Sequence, residues 1–263
     1  MKVSRLAISA FICCVVVRQG SALEPGPIRT PAAELERTSR QAIQRGLAFL
    51  RAAQERDGGW TTNRYGPAVT ALVALAFAQD DTYGPNHPVV QQAVAKIVQY
   101  EQRDGGIYDR RQNLANYQTS VVLSCLAGLD DPDHRERIGR AQRFLTQLQY
   151  DDAERVDESN AWHGGAGYNS KKRPDLSNTQ MMLEALHASG LSKDDPVYRR
   201  AIKFISRCQM NGETNDQAFA DGAADGGFIY TAAGGGESKA NPKIEFRKSR
   251  LISYGSMTYS GFK

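Results

Sequence analysis

The chain has 263 residues, 41% of them hydrophobic, with 33 basic and 29 acidic residues and a formal net charge of +4. This is the composition of an ordinary globular domain with enough apolar residues for a sizeable core. The small positive excess lies near the amino terminus, so it does not indicate a nucleic-acid or anionic-membrane partner.

The first 22 residues have the features of a secretory signal peptide. Basic residues precede an apolar run from Leu6 to Val17, and small residues at 20–22 offer a cleavage site before Leu23. The run is too short to span a bilayer, which needs about 20 residues. We therefore expect a secreted or periplasmic protein with no integral membrane span. Cleavage removes Lys2, Arg5 and Arg18 and leaves 30 basic against 29 acidic residues.

Residues 23–38 predict a linker, and residues 39–263 are organised in repeats. Three stretches are closely similar: QERDGGW ends at Trp60, EQRDGGIY at Tyr108 and ADGGFIY at Tyr230. Each follows a helix-like segment. Because a helical unit of about 45 to 50 residues cannot bury its own apolar face, neighbouring units must stack to form a core.

Each repeat predicts an amphipathic outer helix followed by a buried inner helix. The outer segments carry apolar residues at helical spacing, which form a stripe along one face. The four stripes lie within Ile43 to Leu50, Val90 to Ile97, Ile138 to Leu148 and Val197 to Cys208. The inner segments, such as Pro67 to Ala78 and Thr119 to Leu129, are almost free of charge, which predicts burial all round. Small polar residues near the inner-helix starts are expected to cap the first turns, with Thr70, Thr119, Thr179 and Thr258 as landmarks.

Several residues of the first repeat resemble the QW motif of squalene-hopene and oxidosqualene cyclases: Arg45-Gly46, Phe49-Leu50, Gln54 and Gly58-Gly59-Trp60. The helix-pair repeat is also similar to that of protein prenyltransferase β subunits. Later copies replace the tryptophan by Ile107, Tyr168 or Phe228. The resemblance covers roughly residues 40–263 and implies an all-α, α/α toroid with inner and outer helices around a central cavity.

The resemblance also bears on how much of the toroid is present. The sequence holds four helix pairs, fewer than a closed ring of this family uses, and the last inner helix scarcely begins after Tyr254. We therefore expect an incomplete ring, either because the chain is truncated at its carboxyl end or because another copy completes the arc.

Asp175 is the candidate catalytic residue. Protonating cyclases of this family carry D-x-D-D-T at the start of an inner helix, with the central aspartate as the acid; the matching segment is Asp175-Leu176-Ser177-Asn178-Thr179. Ser177 stands where the acid should be, and a hydroxyl cannot protonate an alkene. Cyclisation by protonation is therefore not expected, and Asp175 remains as a stabiliser of positive charge. Its alternative role is a helix N-cap.

No metal or other cofactor is expected. The zinc site of prenyltransferases includes a D-x-C pair before an inner helix, and the corresponding segment Leu251–Gly255 has no thiolate or carboxylate. The four histidines are not in metal-ligand spacing with one another. Cys125 and Cys208 lie on apolar stripes, so buried free thiols are favoured, with a disulfide as the alternative.

Three aromatic residues are candidate ligand-binding residues. Trp162, Tyr168 and Tyr254 fall in turns expected to open toward the cavity, where their rings could bind an apolar ligand or stabilise a cation, or could act as packing ties. Glu184 and His187, three residues apart on an inner helix, form either a proton-transfer pair or a mutually satisfied pair. Insertions at 150–174 and about 210–250 predict a lid or a flexible surface excursion.

Three classes of function remain open at this stage. The first is an exported enzyme or binding protein for an apolar, isoprenoid-like molecule held in the central cavity. The second is a non-catalytic helical-repeat scaffold for protein partners. The third is an extracellular carbohydrate-active toroid, which needs two facing carboxyl groups. Because Asp175 is the one obvious carboxylate at an inner-helix start, the third is the least favoured.

Overall fold

The computed structural model describes residues 32–240 and 251–263. Among these residues there are nine α-helices and two short strands. The helices are α1 (Ala32–Ala52), α2 (Thr62–Tyr65), α3 (Pro67–Ala78), α4 (Pro88–Ile97), α5 (Ala115–Leu129), α6 (Arg135–Thr146), α7 (Leu176–Ala188), α8 (Pro196–Cys208) and α9 (Gly255–Phe262). The strands are β1 (Gln209–Asn211) and β2 (Ala224–Phe228). The predicted signal peptide lies outside the described residues.

The chain divides into two units, residues 1–44 and 45–263. The described part of the first unit, residues 32–44, is the beginning of α1 and is exposed throughout. Helix α1 starts at Ala32, within the segment predicted as a linker. Ile43, predicted on a half-buried stripe, is exposed, and the stripe becomes buried only in the second unit, at Leu47.

Within the second unit, inner helices pack in chain order and outer helices cover them. α3 packs on α5, α5 on α7, and α7 on α9, while α4, α6 and α8 pack on α3, α5 and α7. The outer helices bury the predicted stripes, including Val90, Ile97, Leu145 and Phe204. The predicted all-α, toroid-like fold of alternating inner and outer helices is thus confirmed.

The inner helices differ in how completely they are buried. Helix α5 is buried on nearly all sides, as the sequence predicts. Helix α3 buries Ala71, Ala74 and Phe77 but leaves Leu72 48% exposed. The prediction that α3 is buried all round is therefore wrong, because α4 and α5 pack against other faces of this short helix.

Glycine is required where each outer helix turns into its inner helix. Gly58 and Gly105 have φ values of +86° and +90°, which favour a residue without a Cβ. A Cβ would also lie 2.5 Å from the carbonyl oxygen of Gln92 at Gly58, and 2.8 Å from that of Arg140 at Gly105. The first glycine of the pair thus lets the turn pack directly on the backbone of the next outer helix.

The four landmark threonines do not cap their own helices. Each hydroxyl instead accepts a hydrogen bond from the residue that follows the glycine pair, at 2.9–3.1 Å: Thr70 from Trp60, Thr119 from Ile107, Thr179 from Ala166 and Thr258 from Phe228. The expected capping role is therefore wrong for the threonines. They fix the turn to the inner helix, since an unpaired amide buried there would be costly.

A hairpin and a buried arginine organise the two insertions. Strands β1 and β2 pair antiparallel, an element that the sequence analysis did not predict. Arg207, only 2% exposed, donates to both carboxylate oxygens of Asp216 at 2.7 Å. It also donates to the carbonyl oxygens of Glu158 and Asn160, at 2.7 and 2.8 Å. One guanidinium thus links residues of both insertions.

Cys125 and Cys208 are buried free thiols, as favoured from their positions. Burial raises the pKa of both thiols, that of Cys125 to about 12. Across residues 32–240 and 251–263, no helix combines the length and apolar character needed to cross a membrane.

Candidate functional site

The carboxyl group of Asp175 lies at the start of inner helix α7 and is buried, with 2% of the residue exposed. Its Oδ1 accepts a hydrogen bond from the backbone N–H of Asn178 at 2.9 Å, and its Oδ2 accepts one from Asn178 Nδ2 at 2.7 Å. Asp175 is therefore the N-cap of α7. This geometry realises the alternative role from the sequence analysis, and the catalytic role stays a prediction.

The electrostatics of Asp175 are those of a buried acid. Burial raises its pKa above the usual range for aspartate. The two hydrogen bonds from Asn178, a hydrogen bond from Tyr230 and the charge of Lys239 oppose this effect without cancelling it. The carboxyl is thus held in one orientation beside groups that stabilise negative charge.

Three backbone hydrogen bonds hold tyrosines at the amino-terminal ends of inner helices. Leu176 N–H donates to the carbonyl of Tyr230 at 2.8 Å, which fixes the end of the hairpin at the start of α7. Tyr254 N–H donates to the carbonyl of Phe228 at 3.2 Å, and Asn116 N–H donates to that of Tyr168 at 2.9 Å. Residues from three separate turns thereby converge at the amino-terminal ends of the inner helices.

Tyr230 is the central tyrosine of this group. Burial raises its pKa, and so do the charge of Asp175 and side-chain hydrogen bonds with Asp175 and Tyr168. Burial and the charges of Asp175 and Glu237 likewise raise the pKa of Tyr254. We call Tyr168, Asp175, Tyr230 and Tyr254 the tyrosine cluster.

Access to the tyrosine cluster differs among its members. Tyr168 is 39% exposed and Tyr230 only 7%. The ammonium of Lys239 lies over the ring of Tyr230, with Nζ 3.6 Å from the ring centroid. Arg173 and Glu237 form an ion pair, and the charge of Glu237 acts on Tyr254.

Of the predicted ligand-binding residues, Tyr254 lies within the influence of the Asp175 charge and Tyr168 interacts with Tyr230, whereas Trp162 has a different environment. Trp162 packs edge to face on Tyr150, with ring centroids 5.0 Å apart. Tyr150 in turn donates from its hydroxyl to the carbonyls of Ser170 and Lys172, at 3.2 and 3.1 Å. This is the geometry of a packing tie within the first insertion.

Tyr230 is a site residue that was not predicted from the sequence. The available signal was its place three residues after the glycine pair of ADGGFIY, the same repeat position that Tyr168 holds after Gly164-Gly165. Glu184, predicted to pair with His187, forms its ion pair with Lys263 instead, and His187 is exposed. Within residues 32–240 and 251–263, no group of three or more His, Cys, Asp or Glu side chains is placed to hold a metal ion.

The row of inner helices covered by outer helices, with a glutamine bonded to the first glycine of the pair at three of the four turns, defines an all-α domain of the terpenoid cyclase-like or prenyltransferase-like type. A protein-family model described as "Squalene-hopene cyclase C-terminal domain" matches residues 67–231. The chain therefore belongs to this family, which confirms the predicted resemblance to terpenoid cyclases. No curated protein matches the chain.

Proposed function

We propose that the tyrosine cluster binds an apolar small molecule of isoprenoid type and stabilises positive charge on it. The observation that carries this proposal is that the buried carboxyl of Asp175 acts on both Tyr230 and Tyr254, with Tyr168 beside Tyr230, at the starts of α7 and α9. Membership of the squalene-hopene cyclase C-terminal family supports the ligand class.

The chemistry of the cluster suits such a ligand. Aromatic rings offer apolar surface together with an electron-rich face, and a cation held over such a face gains about 0.5–2 kcal/mol. Asp175 adds a fixed carboxyl whose burial strengthens its electrostatic effect. Because Ser177 replaces the protonating acid of related cyclases, the cluster is suited to holding a polarised or charged ligand rather than to starting a cyclisation.

A specific contact favours an isoprenoid-like ligand over a carbohydrate. Glycoside hydrolysis needs a second carboxyl group across the site from the first. Glu237 is the carboxylate whose charge acts together with that of Asp175 on Tyr254. It is held in an ion pair by Arg173, which lowers its availability as a base or nucleophile.

The proposal is tested by extracting the purified protein with organic solvent and identifying bound lipids by mass spectrometry. We expect an isoprenoid-type lipid with the wild type and its loss from a Tyr168→Ala, Tyr254→Ala double variant. Tyr65→Ala is the matched control, because Tyr65 is an exposed tyrosine next to a different inner helix. Equal lipid in all three proteins, or none in the wild type, would contradict the proposal.

We also propose that the protein is exported, on the basis of the charged and apolar segments before Leu23. The mature protein is then expected in the periplasm or the medium with Leu23 as its first residue. Intact-mass measurement of the native protein tests this directly, and a cytosolic chain that still carries residues 1–22 would contradict it.

A further inference from the structure

Lys239 is the one cation found over an aromatic face of the tyrosine cluster among the described residues. Its side chain is exposed, whereas the ring of Tyr230 beneath it is almost completely buried. The outer face of that ring is therefore closed from solvent by a flexible lysine side chain. This is the arrangement expected when a chain fills its own cation-binding surface.

The backbone on both sides of Lys239 is fixed independently of its ammonium. Glu237 and Thr231 exchange backbone hydrogen bonds of 2.9 and 3.2 Å. Ser238 donates from its hydroxyl to the carbonyl of Ile252 and accepts from the N–H of Ala240. The lysine side chain can thus leave the ring by rotamer changes alone, without any movement of the segment that carries it.

The local charges also favour an exchangeable cation at this position. Arg173 is neutralised by Glu237, and within residues 32–240 and 251–263 Lys239 is the cation whose charge acts on Asp175 from outside the α7 cap. The negative charge of Asp175 acts on Tyr230, which favours a cation over the ring of that tyrosine. A cation in place of Lys239 therefore keeps a negative partner behind the ring.

We propose that the face of Tyr230 is a binding site for an alkyl- or quaternary-ammonium group, and that Lys239 occupies it as an internal competitor. Such groups carry their charge on an apolar shell, so they lose less hydration than a lysine ammonium when placed over the ring of Tyr230. This inference rests on the proposed function and refines it. The positive charge that the tyrosine cluster stabilises is assigned to a nitrogen atom of the ligand.

The test measures choline binding by NMR of tyrosine-ring-labelled protein. Lys239→Met keeps the apolar stem but removes the charge, and we expect it to bind choline about two- to fivefold more tightly than the wild type, as loss of one cation–π competitor implies. Lys193→Met is the matched control, because Lys193 is an exposed lysine beyond the carboxyl end of α7, a helix about 20 Å long that starts at the Asp175 cap. It should leave the dissociation constant unchanged.

Two further variants keep the inference falsifiable. Tyr230→Leu in the Lys239→Met background should abolish saturable binding, provided that thermal unfolding shows an intact fold. Lys239→Arg retains a cation over the ring and should bind choline no more tightly than the wild type. Equal affinities for choline in Lys239→Met and the wild type, or in Lys239→Met and Lys239→Arg, would overturn the proposal.

The neutral isostere 3,3-dimethylbutanol separates this inference from the proposed function. If the isostere binds as well as choline in every protein, the apolar site stands and the ammonium site fails. If choline binds selectively while no lipid is retained, the ammonium site stands and the isoprenoid proposal fails. Sedimentation with phosphatidylcholine vesicles assigns the source: binding to vesicles but not to free choline identifies a lipid head group, and binding to neither overturns the site.

Discussion

Glu101 and Arg140 are joined by a charged hydrogen bond, from Arg140 Nε to Glu101 Oε1 at 2.9 Å. The third repeat has the same contact in an uncharged form, because Arg200 Nε donates to Gln149 Oε1 at 2.7 Å. Glu101 thus occupies the position that a glutamine holds in the third repeat. Arg137 also donates to Glu101, at 2.8 Å, so that a single carboxylate receives two guanidinium groups.

Glu101→Gln should therefore weaken this tie without breaking it. The amide can still accept from Arg140, as Gln149 does from Arg200, but the charge attraction to two partly exposed arginines is lost. We expect a loss of about 0.5–1 kcal/mol in the free energy of unfolding at pH 7, measured by urea denaturation. Glu36→Gln removes the exposed Glu36–Arg40 pair and should have no measurable effect.

The difference in the free energy of unfolding between the wild type and Glu101→Gln should depend on pH, with a defined sign. The hydrogen bonds from Arg140 and Arg137 outweigh burial and lower the pKa of Glu101 in the folded protein. Its contribution to stability is therefore present above the unfolded pKa of about 4.3 and is lost as pH falls through the lower folded value. The gap between wild type and Glu101→Gln should close toward pH 3, and a gap that persists there would contradict an electrostatic origin.

The regular parts of the fold could be predicted because their signal is local. The stripe that ends at Phe204 and Cys208 follows the helical period, and both residues are fully buried in α8. Asp175 was recognised as a possible N-cap from the residues directly after it. Where a few neighbouring residues decide the structure, the sequence was sufficient.

The candidate site was only partly predictable because long-range contacts create it. Tyr230 reaches Asp175 through the backbone bond to Leu176, which joins segments far apart in the chain. Arg207 has the sequence features of an ordinary polar residue near the end of an outer helix, yet it is buried between two insertions. No pattern within one helix or one turn encodes such contacts.

Gly58→Ala tests the close approach between the first turn and the next outer helix. A Cβ at this position would meet the carbonyl oxygen of Gln92 at 2.5 Å, in addition to the cost of a positive φ. We expect a loss of about 2–4 kcal/mol in the free energy of unfolding. Gly84→Ala is the control, since Gly84 also has a positive φ but faces open space. It should lose only about 1–2 kcal/mol, and equal losses would argue against the steric contact.

Asp216→Asn tests the arginine that links the insertions. The hydrogen bond from Arg207 lowers the pKa of Asp216, so the stabilisation exists above the unfolded pKa of about 3.9 and disappears as pH falls through the folded value. Because Arg207 is buried and Asp216 is 43% exposed, we expect a loss of about 1–3 kcal/mol at pH 7. Lys203→Met, which removes the exposed partner of the same carboxylate, should cost less than about 1 kcal/mol.

Limited proteolysis provides the local readout for this variant. If Arg207 fixes both insertions, Asp216→Asn should speed cleavage within 150–174 as well as within 212–223, since both segments contact the guanidinium or its partner. Faster cleavage in the second segment alone would show that the first is held by other contacts, such as Tyr150 with Lys172.

Asp175→Asn separates capping from charge at the tyrosine cluster. Asparagine is as good an N-cap as aspartate, so the hydrogen bond from the Asn178 N–H should survive. Asp175→Ala removes that bond and should cost about 0.5–2 kcal/mol, as should Asp195→Ala at the N-cap of α8. The Asn variant should therefore fold like the wild type but bind a positively charged ligand more weakly.

The stability of Asp175→Asn relative to the wild type should also change with pH. Burial raises the pKa of Asp175, so the folded state binds a proton more tightly than the unfolded chain. The resulting stabilisation is complete below the unfolded pKa of about 3.9 and is lost as pH rises through the folded value. The wild type should lose stability relative to Asp175→Asn over that interval, as measured by urea unfolding between pH 3 and 8. If the free energies of unfolding of the two proteins change in parallel with pH, the pKa of Asp175 is not raised by folding, and its role is that of an N-cap alone.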